Sequence, residues 1–144
     1  MRHLIEQLRV LMEEPKWHRP DVSRSGPEYG EITRTRRSLK LPAKELHAAV
    51  KKAKLGPLSD KHWEKLSNTE SWKANKADAH YIAKKYKRDI GRIFRGFKQG
   101  TKMPAPIVLH RKGKNPYLIG GNTRLLAASA AKIRPKVLHV RLKK

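Results

Sequence analysis

The sequence predicts an α+β fold, with a basic, helical first part and a compact β-β-α-β end. Three observations carry this. Apolar residues recur at helical spacing as far as about position 100. The runs IVLH, YLIG and KVLHVRL are concentrated beyond it. A Gly-Gly pair and an alanine-rich stretch separate the second of these runs from the third. At 144 residues with 38% hydrophobic content, the chain suffices for one domain with one modest core.

Taken in order, residues 3 to 14 place Leu4, Leu8, Leu11 and Met12 on one face of a short helix, stopped by Pro15. KWHRPDVSRSGPEYGE crowds proline, glycine and serine together and predicts a loop or arm, so residues 1–30 are expected to stand apart from a domain spanning 31–144. ITRTRRSLKL is expected to form a weak strand, on the β preference of Ile32, Thr33 and Thr35. A helix is predicted from Ala43, with Leu46, Ala49, Val50 and Ala53 on its buried face and Gly56-Pro57 as its stop. Ser59 is placed to cap the next turn, with Trp63 and Leu66 facing inward.

Two further helices are predicted between Asn75 and Gly100. One buries Ala79, Ile82, Ala83 and Tyr86, the other Ile90, Ile93, Phe94 and Phe97. Their opposite faces carry Lys84, Lys85, Lys87, Arg88, Arg92, Arg95 and Lys98, with almost no acids between them. IVLH and YLIG then make a hairpin across RKGKNP, a helix runs from Asn122 to Ala131, and KVLHVRL closes the sheet. In that last strand Val137, His139 and Arg141 face one way, and Leu138, Val140 and Leu142 the other.

Lys and Arg number 35 against 12 acids, a formal charge of +23. Such a field attracts polyanions. Nucleic acid is the first expected partner, DNA rather than RNA, with the basic helices and Arg34, Arg36 and Arg37 as the backbone-binding residues. An acidic protein partner, such as a host protein, is the alternative. With no cysteine, disulfides, thiolate catalysis and cysteine-type zinc sites are excluded. No apolar run reaches membrane-spanning length, and the first residues lack the apolar stretch of a signal peptide. A cytoplasmic or nucleoid location is therefore expected, a virion interior suiting the chain equally, and no membrane partner.

The stretch Gly120-Gly121-Asn122-Thr123-Arg124 opens a helix. A helix start carries unpaired N–H groups and partial positive charge, both of which suit a phosphate. Glycines let the backbone come close to an anion, and the Arg124 fork grips two oxygens. The same residues also fit a plain tight turn, with Asn122 as the cap and Arg124 in solvent. The pattern is not that of a Walker loop.

PAPIVLHRKGKNPYLIGGNTRLLAASAAKIRPKVLHVRL, from Pro104 to Leu142, resembles the ParB/sulfiredoxin-like superfamily, most of all the ParB-like domains encoded by bacteriophages. The shared pattern is a Pro-Ile-Val strand, a hairpin, a Gly-Asn-Thr-Arg-Leu turn into an alanine-rich helix and a closing Pro-Lys-Val strand. LSNTESW and DAHYIAKKYKRDI are similar more loosely. The resemblance implies a small mixed sheet with the basic helices packed beside it. In ParB proteins the corresponding box, Gly-Glu-Arg-Arg before two residues and Ala-Ala, contacts the phosphates of a bound nucleotide. Gly121, Arg124, Ala127 and Ala128 match it, while the family's glutamate falls at Asn122 and its first arginine at Thr123. The sulfiredoxin cysteine also falls at Asn122, which excludes sulfinic acid reduction. What remains implied is a phosphate or nucleotide site at Gly120 to Arg124, with Mg²⁺ accompanying a bound nucleotide.

The alternative function is enzymatic: a metal-dependent DNA nuclease, as many phage ParB-like domains are labelled, or a nucleotide-hydrolysing phosphotransferase. Such chemistry needs carboxylates, and none follows Asp89. They would have to come from the first part. Related folds place an early acidic residue over the phosphate corner, which makes Glu28, Glu31 and Glu45 candidates, with Glu31 and Glu45 carried forward as catalytic. No pair among the seven histidines has close metal-ligand spacing within one element, so no metal site is predicted. His110 and His139 are either neighbours across the sheet or hydrogen-bonded strand residues.

Overall fold

The computed structural model describes residues 16–68, 84, 91–93, 95, 102–130 and 133–142, with residues 122, 123, 129 and 130 described by their backbone alone. The expected helix at 3–14 lies outside the described residues, as does most of the expected pair of helices between 75 and 100. Residues 84, 91–93 and 95 are described and are helical.

The molecule is a mixed α+β protein. Its principal sheet has four strands: β2 (Lys54–Gly56), β4 (Ile107–His110), β5 (Tyr117–Gly120) and β6 (Val137–Arg141), in the order β2-β6-β4-β5. β4 and β5 form the expected antiparallel hairpin, with a register shift between Ile107 and Val108. β6 returns parallel to β4 and carries β2 antiparallel on its other flank. A small second sheet pairs β1 (Trp17–His18) in parallel with β3 (Met103–Pro104).

The sheet is covered on both faces, and its strands are accordingly apolar on both. Strand alternation turns Ile107, Leu109, Leu138 and Val140 to one side, where they pack with Ile32, Leu46 and Val50. Val108, Leu118 and Val137 face the other side, against Leu58, Trp63 and Leu125. Apart from Leu58, which lies in the loop before α3, those partners come from four helices: α1 (Tyr29–Ser38), α2 (Ala43–Lys52), α3 (Asp60–Glu64) and α4 (Asn122–Ala130).

The expected strand at ITRTRRSLKL is instead helix α1. Ile32 and Thr35 sit one turn apart and are both buried, while Arg34 and Arg37 are exposed. A strand would have put Ile32 and Thr35 on opposite faces, whereas a helix buries both against the sheet. Glu31 in its first turn and Arg36 and Arg37 in its last match the helix dipole. Its end closes in a Schellman arrangement: Lys40 takes φ 53°, its N–H donates to Arg37 O, and the Leu41 N–H donates to Arg36 O.

Helix α2 begins at Ala43 as expected but stops at Lys52, four residues before Gly56. The Arg19 guanidinium donates to Val50 O at 2.7 Å and also to Ala53 O, satisfying carbonyls that a longer helix would have used. Ala53 turns extended and β2 joins the sheet, so Gly56-Pro57 ends a strand, not the helix. Residues 16–30, expected as an arm, are built into the domain through β1, Arg19 and a buried Glu28. Ser59 caps α3 as expected, its Oγ accepting from the His62 N–H at 3.3 Å, and Trp63 is 2% exposed. Among the described residues, no helix is long and apolar enough to cross a membrane.

Candidate functional site: the glycine corner and its carboxylates

β5 ends at Gly120, and α4 opens two residues later with its first hydrogen bond, Leu125 N–H to Gly121 O at 2.8 Å. Gly121 has φ +91°, and a side chain there would also approach Pro106 Cα to 2.8 Å. Both the dihedral and the space require glycine. The reason at Gly120 is different: a Cβ would lie 2.8 Å from Glu28 Oε2. The backbone is bare at this point because a carboxylate of the chain's own approaches it.

Glu28 stands at the N-terminal boundary of α1, and its side chain makes no capping bond there. Its carboxylate accepts from Arg124 Nη2 at 2.7 Å, across 96 positions of sequence. The side chains keep only 8% and 18% of their surface exposed. Arg124 is therefore neither solvated nor turned away: it folds back over the corner and holds an anionic group there. Its buried Nε has no hydrogen-bond partner among the described residues. The fork thus has donor capacity beyond the pair with Glu28.

A cleft of about 530 Å³ opens beside this pair, lined by Glu28, Glu31, Arg34, Asn68, Tyr117, Gly120, Gly121 and Arg124, among others. Glu31 is half exposed and bridges to Arg34 at 3.1 Å. The cleft therefore brings two carboxylates and two guanidinium groups to one place. Asn68 was not anticipated. It takes φ +63°, and its amide donates to Leu118 O at 2.8 Å, joining the chain after α3 to β5. It lies in the LSNTESW stretch, but the contact that gives it this role is 50 positions away.

The expected residues thus divide. Gly120, Gly121, Arg124 and Glu31 meet at the cleft. Glu45 does not: it is exposed on α2 and lines a separate groove. Of the three candidate acids, Glu28 and Glu31 lie at this corner and Glu45 does not. The side chains of Asn122 and Thr123 lie outside what is described. Arg34 lines the cleft, Arg36 is half-buried and Arg37 is exposed. Lys84, Arg92 and Arg95 are exposed; Lys85, Lys87, Arg88 and Lys98 lie outside the described residues.

A second polar cluster sits on the sheet face that carries α3. His110 Nε2 and His139 Nδ1 are 2.7 Å apart with nearly parallel rings, and the His62 ring is tilted against His110 at 5.5 Å. His139 Nε2 lies 3.0 Å from Pro57 O, an acceptor only, so that nitrogen carries the proton. Nδ1 of His139 must then accept, and His110 Nε2 donates. Both ways of reading this pair from sequence therefore hold together, as sheet neighbours and as hydrogen-bonded strand histidines. Burial lowers the His110 pKa to about 4, helped by Arg141, His139 and His62; burial also lowers that of His139. Among the described residues, no cluster of three or more histidine and carboxylate side chains is placed to hold a metal ion.

No protein-family model matches the chain. No curated protein and no solved structure matches it.

Proposed function

We propose that the chain is a nucleic-acid-binding protein of the ParB-like type, which holds DNA by its backbone and takes a phosphate, of DNA or of a free nucleotide, at the Gly120–Arg124 corner. The observation that carries the first half is the charge. Whatever ion pairs form internally, 35 cations against 12 acids leave a surplus of 23 that favours an external polyanion as partner. The corner supports the second half. Arg124 already holds one anionic group beside the start of α4, the Glu28 carboxylate, at 2.7 Å. An incoming phosphate exchanges for that carboxylate and gains the spare donor at Nε.

The exchange has a test. Glu28→Gln removes the competing charge and is expected to tighten binding of a nucleoside triphosphate or short duplex, while Arg124→Ala is expected to weaken it about tenfold. Both are read by titration, with circular dichroism to confirm folding. Duplex affinity should fall steeply with salt, by about 0.9 in log K per log unit of salt for each phosphate neutralised. A flat salt response rejects backbone binding, and indifference to both substitutions leaves the corner as a structural ion pair alone.

One observation favours the enzymatic reading as the second choice. The last third of the sequence has no acid, yet the fold delivers Glu28 and Glu31 to its glycine corner. Carboxylates beside a phosphate seat are what a Mg²⁺-dependent nuclease or phosphotransferase uses. Cleavage of plasmid DNA, or phosphate release from a triphosphate, with Mg²⁺ or Mn²⁺ and its loss in Glu31→Gln would establish it. Silence of the unsubstituted protein in both assays removes it.

A further inference from the structure

Away from the glycine corner, a groove of about 650 Å³ runs between α2 and the β2–β6 side of the sheet. Its floor is apolar, made by Ala49, Ala53, Leu55 and Leu142. Its rim carries Lys52, Lys54 and Arg141 against a single carboxylate, Glu45. The sheet is also unfinished here. β2 pairs with Val137, Leu138 and His139 of β6 and no further. Val140 and Arg141 are paired to β4 on one flank and, among the described residues, to no strand on the other. The early stop of α2 and the shortness of β2 end the ladder here, with Ala53 next in register opposite Val140.

We propose that this groove docks an extended segment of a partner protein in which apolar and acidic side chains alternate. The chemistry of the groove selects that occupant. A segment laid in the groove beside the end of β6 adopts an extended backbone. Its side chains alternate with a period of two, so one set enters the apolar floor and the other meets the cationic rim. Nucleic acid satisfies the rim, but the floor carries no aromatic side chain on which its bases could stack. A second copy of this chain, itself at +23, is repelled by the rim. The site is distinct from the nucleic-acid reading above and does not depend on it.

The test uses the full chain and three fluorescein-labelled probes. One is a twelve-residue peptide alternating Leu or Val with Asp or Glu. The second has serine at every Leu or Val, and the third is an oligo(dT) of equal charge. The first peptide is expected to bind at least about tenfold more tightly than its serine counterpart. Two variants then separate shape from charge. Ala48→Arg, at an exposed position of α2 beside the floor, narrows the groove while adding a cation; it is expected to weaken the apolar peptide and leave oligo(dT) binding equal or stronger. Lys54→Glu with Arg141→Glu reverses the rim and is expected to abolish peptide binding. Equal binding of the two peptides, or tighter peptide binding by Ala48→Arg, overturns the proposal in favour of general charge attraction. So does a photo-cross-linker at position 48 that captures the chain's own residues 1–15 in place of the peptide.

Discussion

A carboxylate that keeps 8% of its side-chain surface in water needs a cation beside it, and Glu28 finds Arg124 at 2.7 Å. Because both groups are largely buried, the pair matters most through what its loss would leave behind. Arg124→Met removes the cation and strands a buried charge, so unfolding stability is expected to drop by about 3 kcal/mol, read by urea denaturation. The combined change Glu28→Gln, Arg124→Met should recover much of that loss, since neither partner is then left charged. A loss unchanged in the combined variant would mean that packing, not charge, is what Arg124 supplies. Gly120, Arg124 and a need for nearby acid were legible in the sequence. Glu28 was one of three candidate acids; which of them would meet Arg124 was not legible, because a lone glutamate has the same local appearance whether it is surface or core.

Elements were legible where their burial was simple. The hairpin, the alanine-rich helix and β6 follow from alternation and turn residues that later packing only reinforces. Helix α1 was misread because Thr and Ile favour strands locally, while the sheet offers a surface that wants Ile32 and Thr35 on one side. The histidine pair belongs to this scale too, since the parallel register of β4 and β6 brings it together. Its consequence is a pH dependence with a definite sign. His110 titrates near 6.5 when unfolded and about 4 when folded, so the folded state binds fewer protons in between. The contribution is fully present above about 6.5 and is lost as pH falls towards about 4. It is moderated by the ring's partial exposure. Thermal melts of the chain and of His110→Gln should converge as the pH falls through that window. Parallel curves would show that the pair carries no such linkage.

Across the whole molecule the charge dominates. A surplus of 23 on 144 residues repels itself, and the described carboxylates offset it only locally, at Glu28–Arg124, Glu31–Arg34 and Asp60–Arg134. Raising the salt from about 20 to about 200 mM shortens the screening length and is expected to raise the melting temperature by several degrees. Salt therefore has opposite effects on the two properties, stabilising the fold while weakening its hold on a polyanion. A melting temperature that falls with salt would mean that specific ion pairs, not the surplus, set the electrostatic balance.

Composition and local pattern by themselves determined the charge, the absence of thiol chemistry, the α+β class, and a glycine corner opening a helix beside an arginine. These are properties of single residues or of neighbours a few positions apart, and local sterics and net charge are enough to fix them. Tertiary structure alone decided which carboxylate meets Arg124, that α1 is a helix, that α2 ends early to free β2, and that two histidines are hydrogen-bonded to each other. Each of those depends on groups 20 or more positions apart, whose meeting is set by how both faces of one sheet are covered.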